Sequence, residues 1–349
     1  MRDALGVLHP RMGLVSEAYA QPPVPNRRLL WSVGGMLADA PASGVRSEAA
    51  FRMDLVGACG PRRDEALIRA AGEVVERWAV LVPDGGDVAA TGSDAGPSGA
   101  AAGPSEHFCR DRGLRELVER DAAMRAWYLV TGVRRLEGAD IVPALGDMGP
   151  VMGTVLDGGS SVSFLQLPSR CRGLGVVMCL IIDEDREIVA CGLGCAVTHA
   201  EAVIIAARES CQMLDLYTTM RTSTGRPHAP SAVHGDLDRA AWWGAPGNLA
   251  AIRWWLRRVD HAPCPGRTGG DRPTSDHAGA ESPASWEDLL AESRYRSLTT
   301  CLPGQVRQLG WHAGRVDHPT LTPLIMDETS DRARVLRNRS PHSLPHPII

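Results

Sequence analysis

Two short acidic segments, each ending in an arginine, constrain this chain more than any other feature. The segment from Glu73 to Arg77 reads EVVER, and the segment from Glu116 to Arg120 reads ELVER. A third segment, Glu209 to Gln212, reads ESCQ and keeps the spacing with an amide in the second place. Residues at positions i and i+3 share one face of a helix, so each segment is predicted to present two oxygen-bearing side chains on one side.

Carboxylates that lie so close together repel each other unless a cation or a proton separates them. Oxygen clusters suit Mg²⁺, which takes a few carboxylates and completes its shell with water and phosphate. We therefore predict three helices that converge on a magnesium–nucleotide site. The predicted ligands of the metal and of the nucleotide are Glu73, Glu76, Glu116, Glu119, Glu209 and Gln212.

The same acidic segments also fit the exposed faces of ordinary surface helices. The stretch from Glu65 to Arg77 alternates acid and arginine every four residues, and Glu116 can pair with Arg120 in the same way. The third segment favours the convergent site, because its helix is apolar nearly all round. Because apolar residues surround them on the helix, Glu209 and Gln212 are predicted to be buried, and a buried charge needs a partner.

Length, composition and charge exclude several classes of protein. The chain has 349 residues, of which 44% are apolar, and a net charge of −4. This length is enough for one large domain or two small ones. The near-neutral balance lacks the basic footprint of nucleic-acid or membrane-surface binding. The sequence shows no signal-peptide pattern and no apolar run of bilayer length. We therefore expect a cytoplasmic protein with no nucleic-acid and no membrane partner.

The absence of lysine is informative, because every basic residue among the 37 is arginine. A Walker-type phosphate lysine, a kinase lysine and a Schiff-base lysine are therefore excluded. If the chain binds a nucleotide, arginine and metal must hold the phosphates.

Helices and strands are interleaved without a long regular repeat, which predicts an α+β fold with mixed sheets in a single domain over residues 1–349. The three acidic segments fall in predicted helices, and three apolar runs in the following region are typical of strands. Two stretches rich in Gly, Ser, Asp, Ala or Pro are predicted to be flexible loops, and the end of the chain is rich in proline. The predicted helices span 64–82, 108–131 and 199–217, the strands lie within 150–198, the loops span 84–105 and 261–284, and the tail spans 340–349.

Taken in order, these segments resemble the motifs of the YcaO family. A glycine turn, Gly57 to Gly60, precedes the first acidic helix, as in the family. Gly113 to Ala122 reads GLRELVERDA and is similar to the family's G-L-x-E-x-x-E-R-D-A. Gly192 to Cys195 reads GLGC and, with Glu209 to Gln212, resembles the family's third motif. The tail, 341–349, is similar to the proline-rich end of azoline-forming members.

The resemblance implies an ATP- and Mg²⁺-dependent cyclodehydratase that converts Cys, Ser or Thr of a ribosomal precursor peptide to thiazoline or oxazoline, as in thiopeptide-type biosynthesis. The six oxygen ligands would bind the magnesium ions that hold ATP, with Arg77 or Arg120 assisting in catalysis. The tail would reach the active site, where His346 or the Ile349 carboxylate would assist proton transfer. Implied partners are a ThiF-like protein that binds the leader peptide, a flavin dehydrogenase and a second copy of the chain in a homodimer.

Two departures from the family pattern keep alternatives open. Cys59 stands where the glycine turn usually carries lysine, and Arg69 replaces a serine that often starts the first acidic helix. A guanidinium can replace an ammonium as a phosphate ligand. The alternatives are an enzyme of the same type that forms a thioamide or an amidine, and a non-catalytic scaffold in a peptide-modifying complex.

Overall fold

The chain folds into an α+β structure, and the strands of its described residues form three sheets. A computed structural model of the protein describes residues 4–25, 27–38, 55–81, 98–224, 228–245, 247–261 and 283–348. The strands are β1 Val15–Gln21, β2 Trp31–Leu37, β3 Leu55–Gly60, β4 Ala100–Gly103, β5 Arg134–Arg135, β6 Ser161–Leu167, β7 Gly175–Asp183, β8 Ile188–Ala196, β9 Arg294–Ser297 and β10 His312–Asp317. The helices are α1 Arg63–Leu81, α2 Glu106–Leu129, α3 Gly138–Ile141, α4 Gly149–Asp157, α5 His199–Thr224, α6 Asp236–Gly244, α7 Leu249–His261, α8 Trp286–Glu292, α9 Gly304–Gln308 and α10 Asp331–Arg337.

All three sheets are antiparallel. Their strand orders are β1-β2-β3, β4-β10-β9 and β5-β6-β7-β8. A parallel pairing occurs at the isolated bridge between Cys171 and Ala284. The second sheet joins distant parts of the chain, because the central strand β10 pairs with β4, which lies some two hundred residues earlier.

Each of the three acidic helices packs on a different sheet. Helix α1 lies on β3 and β2, helix α2 on β10 and β4, and helix α5 on β8 and β7. The layers also touch one another, since α1 contacts β4, α2 contacts β8 and α5 contacts β3. The fold therefore brings three helices from separate layers to one place.

Helix α5 approaches β8 so closely that two glycines of the strand are required. Every residue of β8 is buried, as its continuous run of apolar and small residues predicts. A Cβ atom at Gly192 would collide with the backbone of Ala206 and Ser210, and one at Gly194 with the backbone of Ala202 and Ala206. The motif GLGC thus sets the distance between the helix and the sheet.

The three predicted helices and the strands after residue 160 are confirmed, and the observed helix ends differ from the predicted ones by at most seven residues. Two predictions need correction. The stretch 149–157 forms α4 and no strand. The last part of the predicted loop 84–105 forms β4, because these small residues pair with β10, and Ser105 then caps α2. Residues 82–97 and 262–282, which hold most of the two predicted loops, lie outside the described residues.

None of the helices that the structure describes has the length and apolar character needed to span a bilayer.

Gly194→Ala should destabilise the fold, because the added methyl group would collide with the backbone of α5, which cannot move as a flexible side chain can. We expect the free energy of unfolding to fall by about 3 kcal/mol, the upper end of the usual overpacking cost. Gly153→Ala is the matched control, because no atom lies near a Cβ at that position in α4. Thermal unfolding of both variants measures the difference. Equal midpoints for the two variants would contradict the close approach.

Candidate nucleotide and metal site

A cleft of about 800 Å³ opens where α1, α2 and α5 meet. Its volume lies within the usual range of ligand pockets. All three helices and the strand β8 contribute to its wall. The predicted site residues that line it are Glu73, Glu76, Arg120, Glu209 and Gln212. Glu116, Glu119 and Arg77 do not line it, but the charges of Glu116 and Arg77 act on the pKa of Glu76, and the charge of Glu119 acts on that of Arg120.

The carboxylates of α1 and α2 are close enough to influence each other's ionisation. Burial raises the pKa of Glu76 well above its usual value, and the charges of Glu73 and Glu116 raise it further. Burial likewise raises the pKa of Glu116, with the Glu73 charge acting in the same direction. The first two acidic segments therefore face each other, as the i,i+3 spacing predicts.

The carboxylates of α2 and α5 also meet. Burial and the Glu209 charge raise the pKa of Glu119 to about 7. Glu209 is positioned by the strand beneath it, since its Oε2 atom accepts a hydrogen bond of 3.3 Å from the Leu193 N–H. Glu209 and Gln212 are only partly buried, because the cleft reaches them. The prediction that both are buried is therefore wrong in degree.

Both interpretations of the acidic helices hold in part. Arg77 Nε lies 2.6 Å from Glu73 Oε1, and Arg120 Nε lies 3.7 Å from Glu116 Oε1, so the i,i+4 pairs form. Yet these four side chains are only 16–29% exposed. The pairs therefore line the interior of a site, where their charges are poorly solvated, and do not form an outer solvated face.

Arg112 is a cleft residue that the sequence reasoning missed. It lines the cleft from α2, and its charge lowers the pKa values of Glu76, Glu116 and Glu119 against the effect of burial. Its position four residues before Glu116 was the available signal, because i,i+4 neighbours share a helix face.

The donor set fits a magnesium ion that arrives with a nucleotide. Its potential ligands are carboxylate and amide oxygens, which suit Mg²⁺. Within the described ranges, no group of three histidine, cysteine, aspartate or glutamate side chains is arranged to hold a metal ion by itself. Mg²⁺ is commonly held by one or two carboxylates together with phosphate oxygens and water. Carboxylate and amide oxygens of the cleft could therefore hold Mg²⁺ together with phosphate oxygens.

The end of the chain is tied down by a buried polar network around Glu328, which is 2% exposed. Its Oε1 accepts hydrogen bonds from Arg239 Nη1 at 2.9 Å and from the His346 N–H at 3.1 Å. Its Oε2 accepts from the Tyr128 hydroxyl at 2.6 Å and from Arg337 Nη2 at 3.0 Å. The network brings the tail to the cleft, which Ile348 lines.

The structure encloses the His346 side chain in the anchoring network of the tail. Its side chain is fully buried, and burial lowers its pKa to about 3. Its Nε2 lies 2.8 Å from the Ile325 carbonyl oxygen, and its Nδ1 accepts a 3.3 Å bond from the Ile348 N–H. Both ring nitrogens thus serve the anchoring of the tail, and the expected proton transfer by His346 does not fit this geometry. Ile349 lies outside the described residues.

Without metal and nucleotide, the acidic cluster should make stability fall as pH rises. Glu119 has its folded-state pKa at about 7, above its ordinary 4.5. The folded protein therefore binds more protons than the unfolded chain between these values, so this contribution is present below pH 4.5 and is lost by about pH 7. We expect Glu119→Gln to reduce the loss of stability between about pH 5 and pH 8, by up to roughly 3 kcal/mol.

Thermal unfolding of the metal-free protein across this pH range is the measurement. Glu137→Gln is the matched control, because Glu137 is exposed on a distant helix start and should keep the wild-type profile. A Glu119→Gln profile identical to wild type would contradict the raised pKa.

Glu328→Gln should loosen the tail, since it removes the close ion pair of the buried Arg239 guanidinium and leaves it only the 3.9 Å contact with Asp236. We expect the free energy of unfolding to drop by about 3 kcal/mol or more, as for other broken buried pairs. Asp331→Asn breaks an exposed pair with Arg334 nearby and should cost less than about 1 kcal/mol. Denaturant unfolding compares them, and similar losses in both variants would contradict the anchoring role of Glu328.

Comparison with known proteins gives the family. The model of the YcaO family, described as an ATP- and Mg²⁺-binding YcaO cyclodehydratase, matches residues 89–263, which is half of the chain. A search among curated proteins gave no match.

Solved structures share the fold. A YcaO from Methanopyrus kandleri bound with AMPPCP and Mg²⁺ has a TM-score of 0.55 at 19% identity, over 94% of this chain and 90% of that one. A heterocyclase in complex with substrate and cofactor has a TM-score of 0.65 at 13% identity, over 99% of this chain and 56% of that one. The E. coli microcin synthetase McbBCD complex has a TM-score of 0.57 at 9% identity, over 94% and 96% of the two chains. The chain therefore belongs to the YcaO family of ATP-dependent enzymes, and its cofactors are ATP and Mg²⁺.

Proposed function

We propose that the protein is a peptide cyclodehydratase that uses ATP to convert Cys, Ser or Thr of a ribosomal precursor peptide to azolines. The observation that carries the proposal is that carboxylates of α1 and α5 line one open cleft with arginines among them, while the buried carboxylates of α2 lie close enough to act on both sets. This combination suits phosphoryl transfer, in which positioning and neutralisation of phosphate charge supply most of the catalysis.

In the proposed reaction, a side-chain thiol or hydroxyl of the peptide attacks the preceding backbone carbonyl carbon and gives up its proton. The resulting oxyanion attacks the γ-phosphorus of ATP, and ADP leaves. The phosphorylated oxygen then departs as phosphate while the amide nitrogen loses its proton and forms the C=N bond. The net change is loss of one water from the peptide and hydrolysis of one ATP.

The residues of the chain would bind and orient the reactants. Glu73, Glu76, Glu116, Glu119, Glu209 and Gln212 are the proposed oxygen ligands. The magnesium they hold would neutralise charge on the phosphates. Arg120 lines the cleft and is paired with Glu116, which supports a proposed role in neutralising the same charge. Arg77 is held more tightly by Glu73 and does not itself line the cleft, so its proposed role is to orient that carboxylate.

The tail would form one boundary of the substrate site. Ile348 is 3% exposed and lines the cleft, which supports the proposal that the tail borders the bound peptide. The proposed participation of the Ile349 carboxylate in proton transfer follows from the family resemblance, as Ile349 lies outside the described residues.

The proposed partners follow from the family and from the assemblies of similar proteins. A precursor peptide would be presented by a ThiF-like protein that binds its leader, and a flavin dehydrogenase would act on the product. The similar heterocyclase is known with its substrate and cofactor, and the microcin synthetase is a complex of several proteins. A homodimer of the chain is a further expectation. The protein alone is therefore expected to be slow.

The scaffold alternative has one specific observation behind it. Cys59, in place of the family's lysine, is buried, and burial raises the pKa of its thiol to about 11. It therefore supplies no charge to a phosphate. A scaffold would not bind Mg²⁺–ATP, whereas an enzyme would be stabilised by it against thermal unfolding.

Purified protein, leader-binding partner, precursor peptide and Mg²⁺–ATP should together give a peptide that has lost water. Glu76→Gln and Glu119→Gln should each lower the rate at least about 100-fold, because each removes a carboxylate from the proposed metal site. Mass spectrometry of the peptide measures the product. The exposed Glu137→Gln is again the control and should keep the wild-type rate.

Three outcomes separate the alternatives. Exchange of oxygen for sulfur would identify a thioamide-forming enzyme. A backbone amine of the same peptide that closes an amidine also loses one water, so fragment ions that place the new bond at the amine, and not at a Cys, Ser or Thr side chain, would identify an amidine-forming one. Absence of both product and thermal stabilisation by Mg²⁺–ATP would favour the scaffold. Full activity of both variants would reject Glu76 and Glu119 as metal ligands.

A further inference from the structure

Two arginines of the cleft carry positive charge toward the same space. Arg69 on α1 and Arg208 on α5 both line the cleft. The Arg208 side chain is only 7% exposed, and Arg69 is partly buried. Burial and the Arg208 charge lower the pKa of Arg69 to about 10, so the two guanidinium groups are close enough to repel each other.

Their surroundings leave several of their hydrogen-bond donors unused. In the described part of the chain, Arg208 has one ion pair, from its Nη1 to Glu65 Oε1 at 3.3 Å, and Arg69 has no ion pair or hydrogen bond. The Nε atoms of both arginines are buried without a hydrogen-bond partner among the described residues. Buried donors without acceptors are costly, and a bound anion would remove that cost.

The neighbouring acids are engaged elsewhere. Glu73 lies four residues after Arg69 and shares its helix face, but Arg77 Nε holds its carboxylate at 2.6 Å. Glu209 follows Arg208 directly, and its Oε2 accepts a hydrogen bond from the Leu193 N–H. The charges of Glu65 and Glu209 act on both arginines, but among the described residues neither carboxylate accepts a hydrogen bond from Arg69. A ligand anion can therefore bind donors that these carboxylates leave unused.

We propose that Arg69 and Arg208 together bind a phosphate group of ATP and replace the phosphate lysine that this chain lacks. The proposal rests on the proposed function, since it assigns the polyphosphate of ATP to one part of the same cleft. A guanidinium presents planar donors that match phosphate oxygens, and two of them balance more charge than one ammonium. Both arginines also lie next to carboxylates proposed to hold the magnesium, so one polyphosphate can engage metal and guanidinium together.

Calorimetric titration of Mg²⁺–ATP into wild type, Arg69→Gln and Arg208→Gln tests the proposal. We expect each variant to bind at least about 10-fold more weakly, the loss typical of a charged hydrogen bond. Arg69→Lys keeps the charge without the planar fork and should recover part of the affinity. Arg63→Gln is the matched control, because Arg63 is exposed at the start of the same helix and outside the cleft.

Thermal unfolding without ligand provides a second readout. If Arg69 had a purely structural role, its substitution would lower the unfolding midpoint. Removing one of two repelling cations should leave the midpoint of Arg69→Gln equal to or above that of wild type. Wild-type affinity in both Gln variants, or weaker ATP binding accompanied by a lower ligand-free midpoint in Arg69→Gln, would overturn the phosphate role. Failure of wild type itself to bind Mg²⁺–ATP would instead contradict the proposed function.

Discussion

Glu76 and Glu116 lie on helices that pack on different sheets, yet the charge of Glu116 raises the pKa of Glu76. This forced meeting of carboxylates is the constraint on which the rest of the structure depends. A fold keeps such an arrangement only when opposite charge compensates for burial and repulsion. The arginines supply part of that charge from within the chain. A divalent cation can supply the rest of the positive charge, and it can bind phosphate oxygens at the same time.

The position of the third acidic helix, α5, is set by its packing on the strand β8. Gly192 and Gly194 leave no side chain between β8 and α5, so the helix backbone rests on the strand. At this short distance the N–H of Leu193 reaches the carboxylate of Glu209. The geometry of the site is therefore set by buried glycine and backbone contacts, which explains why a small-residue motif accompanies the acidic one.

Local spacing predicted a large part of this arrangement. The i,i+3 pattern and the apolar surroundings gave three helices with acids on one face, and the convergence of these faces follows from the cost of isolated buried charge. Long-range pairing was beyond such reasoning. Strand β4 consists of alanine and glycine with no strand pattern of its own, and it forms because β10, from the end of the chain, pairs with it. The proposed role of Arg208 likewise could not be predicted from local spacing, because it depends on the proximity of Arg69 on another helix.

The tail shows the limit of assigning chemistry from residue type. A histidine near the end of a chain that reaches the cleft is an attractive proton carrier, and the resemblance pointed to it. Burial decides otherwise, because a fully enclosed imidazole with both nitrogens bonded has no access to substrate. Its contribution lies in fixing Ile348 beside the cleft, together with the carboxylate of Glu328.

The convergence of three helices on metal and nucleotide is tested most directly by a crystal structure of the protein with Mn²⁺ and a non-hydrolysable ATP analogue. Anomalous scattering locates the manganese without assumptions about the protein. We expect metal density in the cleft, with carboxylate oxygens of at least two of the three helices roughly 2.0–2.2 Å away and analogue phosphates completing the shell. A nucleotide bound elsewhere, or metal density that no glutamate of α1, α2 or α5 contacts, would contradict the convergent site.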